Sequence, residues 1–290
     1  MRKIFIKELI KAAKKNKKII LIVNDLGYGV VDNFAKKFPK QFINAGVAEQ
    51  NMMGLAAGLA MDGNHVFVYS IGNFSTFRCA EQIRNDIDYH KLPVTIVSVG
   101  AGLGYGNLGY THHALQDYAL MRSFPNMLIL SPGNNNELIS LLNFINKNPQ
   151  PSYLRIDKNE HKDIKFKKIT VTPGKIIKLI NGNKKKIILT TGNVQSLAKK
   201  MMYKKYKNYS LYSMPMWSMK SKNKVKKMIK NFDEIITIEN HFHDCGFGSW
   251  LKECVNETNI KTIIKSKYIK NNVINEVGSE EYLLKKYGPK

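Results

Sequence analysis

The sequence predicts an α/β protein: a mostly parallel sheet with helices on both faces, followed by a smaller α/β domain. Two observations carry this. Apolar, β-branched runs of strand length alternate with segments of helical period, the pattern of βα units. The alternation stops at a polar, charged stretch, DKNEHKDIKFKK (157–168), followed by Thr172, Pro173 and Gly174, and then restarts. Placing the boundary there gives domains 1–160 and 161–290.

The elements follow in order. An amphipathic, lysine-rich helix opens the chain (1–18), and IILIV (19–23) is the first strand. A helix rich in small residues spans 47–61, before the strand HVFVYS (65–70). A helical segment at 75–89 leads to the strand VTIVSV (94–99). Five glycines in 100–109 exclude a stable helix or strand interior, so this is a loop at the sheet's carboxyl edge. Then come a helix (113–123), the strand MLIL (127–130), a helix (134–146) and the strand SYLRI (152–156). In the second domain, strands at 186–192 and 234–240 alternate with helices at 194–205 and 248–255. Ligands of such sheets bind outside the carboxyl ends of the strands.

Composition narrows the function classes. The 290 residues are 43% hydrophobic and 23% charged, as in globular chains. No apolar run approaches the roughly 20 residues that span a bilayer, and the first helix lacks the uninterrupted apolar stretch of a signal peptide. Three cysteines, Cys79, Cys245 and Cys254, form no CxxC pair, so reduced thiols in a cytoplasmic chain are expected. The net charge of +24 suggests nucleic acid. However, only five of 46 basic residues are arginine, and the lysines are scattered. A solvated lysine surface is the better reading, with no nucleic-acid partner.

One residue of the 47–61 helix stands out. Glu49 opens an otherwise apolar stretch, NAGVAEQNMMGLAAG. On its own it is a carboxylate that complements a helix dipole. Phe74 and Phe77, taken singly, read as core, and Arg84, Asn85 and Asp86 as a polar network at a subunit interface. The loop at 100–109 lacks the P-loop lysine and spacing. The string HFHDCG (241–246) is thin as a metal site, having no second cluster, and no metal ligands are assigned in this chain.

Together, GVAEQN, the small-residue helix behind it, the segment 67–94 and GLGYGNLGYTHH resemble the pyrimidine-binding domain of thiamine diphosphate enzymes. Transketolases and 1-deoxyxylulose-5-phosphate synthases are the nearest groups, and the second half looks like the family's C-terminal domain. The resemblance implies the cofactor thiamine diphosphate. Glu49 would hydrogen-bond N1′ of its aminopyrimidine, and an apolar setting would keep a proton available there. An aromatic from the next segment, Phe74 or Phe77, with Phe74 preferred, would stack on the ring. His112 would contact the sugar, and His113 would share that role or cap the following helix. Gly109, Thr111 and His112 match the family's loop, while Leu108 and Tyr110 replace its Asp and Pro. The family's substrate-phosphate His and Arg fall on Gly100 and Ser131. The usual phosphorylated ketose is therefore not expected, unless its phosphate is held elsewhere.

The Gly-Asp-Gly motif that holds the diphosphate through Mg²⁺ is absent. The resemblance then implies a split enzyme, α2β2, in which a diphosphate-binding N-terminal subunit carries most of the Mg²⁺ contacts. This chain would be the β subunit. It would transfer a two-carbon ketol unit from a ketose to an aldehyde, a modified sugar among the acceptors that fit. Two alternatives stand beside this: the β subunit of a 2-oxo acid decarboxylating thiamine enzyme, and a non-catalytic assembly subunit.

Overall fold

The structure, a computed structural model, describes residues 1–159, 169–256 and 258–290. The boundary expected at 160/161 lies outside the described residues. Six strands come from the first half: β1 (Ile19–Val23), β2 (Phe42–Asn44), β3 (His65–Ile71), β4 (Val94–Val99), β5 (Leu128–Leu130) and β6 (Ser152–Ile156). Six follow in the second: β7 (Ile177–Ile180), β8 (Asn183–Thr190), β9 (Tyr209–Ser213), β10 (Met216–Trp217), β11 (Glu234–Ile238) and β12 (Ile263–Lys267). The first sheet runs β10-β5-β6-β4-β3-β1-β2, parallel except for β10. The second runs β12-β11-β8-β9-β7, parallel except for β7. The fold is thus the α/β class the sequence predicts.

Strands β1, β4, β5 and β6 are buried along their whole length, which explains their unbroken apolar runs. Successive residues serve opposite faces. Val66 and Val68 join helix Glu49–Met61 through Met52, Met53 and Ala56. Phe67 and Tyr69 join helices Arg2–Lys15 and Asn135–Lys147 through Phe5, Leu138 and Leu141. This period of two is what a sheet between two helical layers requires.

The second half also feeds the first sheet. Strand β10 pairs antiparallel with β5, Met216 opposite Leu130 and Trp217 opposite Ile129. Trp217 is buried against Tyr118, Phe247 and Trp250. One apolar cluster therefore runs from Ile96 under the first sheet to Leu189 and Ile235 of the second.

The helices expected at 75–89 and 113–123 differ in form. The first is a 3₁₀ turn (Phe77–Cys79), one α turn (Ala80–Gln82) and a π-helix (Ile83–Asp88). At its end, Asp88 accepts hydrogen bonds from the Asn126 backbone and side chain. The second shrinks to Asp117–Met121, because Ala114 pairs in extended form with Gly102.

Candidate active site

The carboxyl ends of β1, β3 and β4 converge, and each delivers polar or aromatic groups to one cleft. Glu49 is the first residue of helix Glu49–Met61, with a side chain only 6% exposed. Asn24, just past β1, donates to Glu49 Oε1 from Nδ2 at 3.0 Å. Arg78 donates to the same oxygen from Nη1 at 2.9 Å. The apolar setting expected for Glu49 is therefore corrected: the carboxylate is paired with a guanidinium carried in by the segment after β3.

Phe74 lies beside that pair. The Arg78 guanidinium carbon sits 4.2 Å from the centre of the Phe74 ring. The Phe74 ring in turn meets His112 edge to face, centroids 5.2 Å apart. Thr111 Oγ1 and His112 Nδ1 are 2.9 Å apart. With the hydroxyl donating, Nε2 of His112 carries the proton and can act as a donor. Burial, and then the charge of Arg78, hold the His112 pKa below the ordinary histidine value.

Of the residues singled out in the sequence, Glu49, Phe74 and His112 thus share one constellation. Phe77 is half exposed and lines a cavity of about 500 Å³ with Asn73, Phe74, Arg78, Tyr110 and Thr111. A neighbouring cavity of about 460 Å³ is lined by Val47, Glu49, Gln50, Asn51 and Arg78. His113 lies inside the loop, fully buried, with Nε2 3.5 Å from the Gly106 carbonyl. Burial lowers its pKa. His241 is buried against Tyr118, away from the cleft, and His243 pairs with Asp244. A larger cavity of about 980 Å³, beside Arg84, Asp88 and Tyr89, contains none of the constellation, so the chemical groups rather than the volume locate the site.

Comparison with known proteins agrees with this geometry. Residues 1–162 match the model of the transketolase pyrimidine-binding domain. The chain belongs to the transketolase family. It is 32% identical over 265 residues to an apulose-4-phosphate transketolase subunit of Phocaeicola vulgatus, covering 88% of this chain and 83% of that one. It is 33% identical to a putative transketolase C-terminal section of Methanocaldococcus jannaschii, covering 99% and 92%. A solved split-gene transketolase, described as an inactive β4 tetramer, superposes with a TM-score of 0.84 at 28% identity, covering 100% and 93%. More distantly, 1-deoxy-D-xylulose-5-phosphate synthase of Halothermothrix orenii is 30% identical, but the chain spans only 41% of it.

Family membership implies dependence on thiamine diphosphate, and the residues present fit the aminopyrimidine half of that molecule. A planar group bearing N–H donors already stacks on Phe74 and hydrogen-bonds Glu49; it is the guanidinium of Arg78. Beside it, Asn24 Oδ1 is buried without a partner among the described residues. Packing also accounts for two of the substituted transketolase positions. A side chain at Gly100 would collide with the Tyr105 ring, which fills that space. Ser131 is fully buried and bonded to the Tyr118 hydroxyl, so a cation there would not face the cleft.

Sequence reasoning missed Asn24 and Arg78. Asn24 follows directly on a buried parallel strand, where ligand contacts concentrate. Arg78 stands four residues after Phe74, a spacing that brings side chains together within a helical turn.

Proposed function

We propose that this chain is the C-terminal, β subunit of a two-chain, thiamine diphosphate-dependent transketolase-like enzyme. It transfers a two-carbon ketol unit from a ketose to an aldehyde acceptor. The observation that carries this is the meeting of Glu49, Phe74 and His112 at the carboxyl edge of a parallel sheet. The cofactor supplies a carbon nucleophile and an electron sink. Glu49 holds a proton at the aminopyrimidine N1′, Phe74 fixes the ring's plane, and His112 donates from Nε2 to oxygen atoms of the sugar. His113 supports the loop through the Gly106 carbonyl.

The subunit arrangement has its own support. The chain lacks the Gly-Asp-Gly motif, so the diphosphate and Mg²⁺ are held mainly by an N-terminal partner in an α2β2 assembly. Around the cleft, Val47, Phe77, Leu108, Tyr110 and Val277 are exposed apolar side chains that a partner would cover. Domains 1–160 and 161–290 remain our division of the chain, and we place the enzyme in the cytoplasm. No helix among the described residues is long and apolar enough to cross a membrane. The Phocaeicola vulgatus relative is named for a sugar 4-phosphate. That favours a phosphorylated sugar whose phosphate is held away from positions 100 and 131.

The test is reconstitution with the partner subunit and assay of donors. Ketose consumption without CO₂ release supports the reading, whereas pyruvate turnover with CO₂ supports the decarboxylating alternative. Glu49→Gln should lower the rate about 100-fold or more. Unchanged activity in that variant would leave only the assembly-subunit alternative.

A further inference from the structure

The Glu49–Phe74 slot is filled from within the chain. An aminopyrimidine needs two contacts there, a ring to stack on and a carboxylate to bond. One guanidinium makes both, 4.2 Å from the Phe74 centroid and 2.9 Å from Glu49 Oε1. Arg78 also lines both cavities of the cleft and forms the partition between them. Its side chain is 51% exposed, so packing does not hold it in place. Among the described residues, no other cation makes a salt bridge with Glu49.

We propose that Arg78 is a displaceable plug of the aminopyrimidine slot. In the cofactor-free chain it compensates the buried Glu49 carboxylate and covers Phe74. The incoming ring must then expel the guanidinium into the open side of the cleft, so binding competes with an internal ligand. This rests on the thiamine diphosphate reading above. The contacts to be broken are a half-exposed ion pair and a cation–π contact, both of modest strength. Their combined loss corresponds to roughly a fivefold to tenfold reduction in apparent affinity.

The experiment is titration calorimetry of thiamine diphosphate with Mg²⁺ into the reconstituted two-subunit complex. Wild type is compared with Arg78→Ala, Arg78→Met and Glu49→Gln. Both arginine variants should bind the cofactor about fivefold to tenfold more tightly. Without cofactor, they should melt at a lower temperature than wild type, because Glu49 has lost its counter-charge. Opposite signs in affinity and cofactor-free stability are the signature of a plug; a merely structural arginine would lower both. Unchanged or weaker binding in both arginine variants, with Glu49→Gln also weakened, would overturn the plug and leave the cofactor reading standing. Absence of binding in every protein, wild type included, would overturn both.

Discussion

Removing Arg155 should unlock the loop that carries His112, and the structure sets the size of the effect. Arg155 leaves β6 and is 1% exposed. It donates to Asp117 Oδ2 from Nε at 2.6 Å, and to the carbonyls of Ala114 and Asn240 from Nη2 at 2.7 and 2.8 Å. Ala114 ends the histidine loop, and Asn240 belongs to the second half of the chain. Burial works against the guanidinium charge, but Asp117 and the tyrosines around it outweigh that and hold its pKa above the ordinary arginine value. In Arg155→Ala, Asp117 becomes an uncompensated buried charge, which costs about 3–5 kcal/mol. Two carbonyls lose their donors, at about 1 kcal/mol each. A loss of about 5 kcal/mol is comparable with the whole stability of a marginal protein. Urea unfolding, followed by circular dichroism at unchanged m, measures it. Arg155→Met with Asp117→Leu should recover part of the loss, because no charge is stranded. A loss below about 1.5 kcal/mol in Arg155→Ala would refute the argument that this ion pair joins the two halves.

Other outcomes follow from the same contacts. Phe74→Ala should weaken cofactor binding by about tenfold, and Phe77→Ala by less, because only Phe74 touches both His112 and Arg78; calorimetry on the complex ranks them. Gly102→Ala should cost about 1–3 kcal/mol in unfolding, since φ is +64° and a Cβ would run into the Asn240 side chain. Burial lowers His241 from 6.5 to about 4, so the unfolded chain binds more protons in that window. Stability from this group is full above pH 6.5 and is lost as pH falls toward 4, by up to about 3 kcal/mol. Burial raises Glu239 to about 8, which acts in the opposite direction above its ordinary range. The comparison of wild type with His241→Phe across pH 4–7 therefore isolates the histidine, and an unchanged acid slope would count against its buried neutral state.

How much could be read beforehand depended on burial and length. Strands β1, β3, β4 and β6 were legible because a parallel sheet covered on both faces needs unbroken apolar runs. Strand β12, IIKSK, is half exposed and lysine-bearing, and β10 has two residues, so neither leaves a periodic signal. The π-helix at Ile83–Asp88 has no sequence signature, because its sequence is that of an ordinary helix. In the site, Glu49 and His112 were legible from their motifs. The Arg78–Glu49 pair spans 29 residues of sequence and is made only when β3 brings the two segments together.

The glycine-rich loop shows why the two halves act as one unit. Its glycines suggest a phosphate cradle, but their neighbours are protein. Asn240 fills the space at Gly102, and at Gly106 a Cβ would meet Leu283 and the carbonyl of Gly278. The Gly278 backbone donates to the Gly106 carbonyl at 3.2 Å, the same carbonyl that His113 approaches. Leu103 and Leu115, on either side of the histidines, share a buried cluster with Phe242, Ile269, Val273 and Leu283. The loop is therefore small-residued because the second half packs directly onto its backbone. That close packing, rather than any contact with ligand, is what the C-terminal half contributes to the site: it holds His112 at a fixed distance from Phe74. A first half on its own would keep Glu49 and Phe74 on rigid elements of the sheet but lose the support under His112, so cofactor contacts and substrate contacts depend on different parts of the chain.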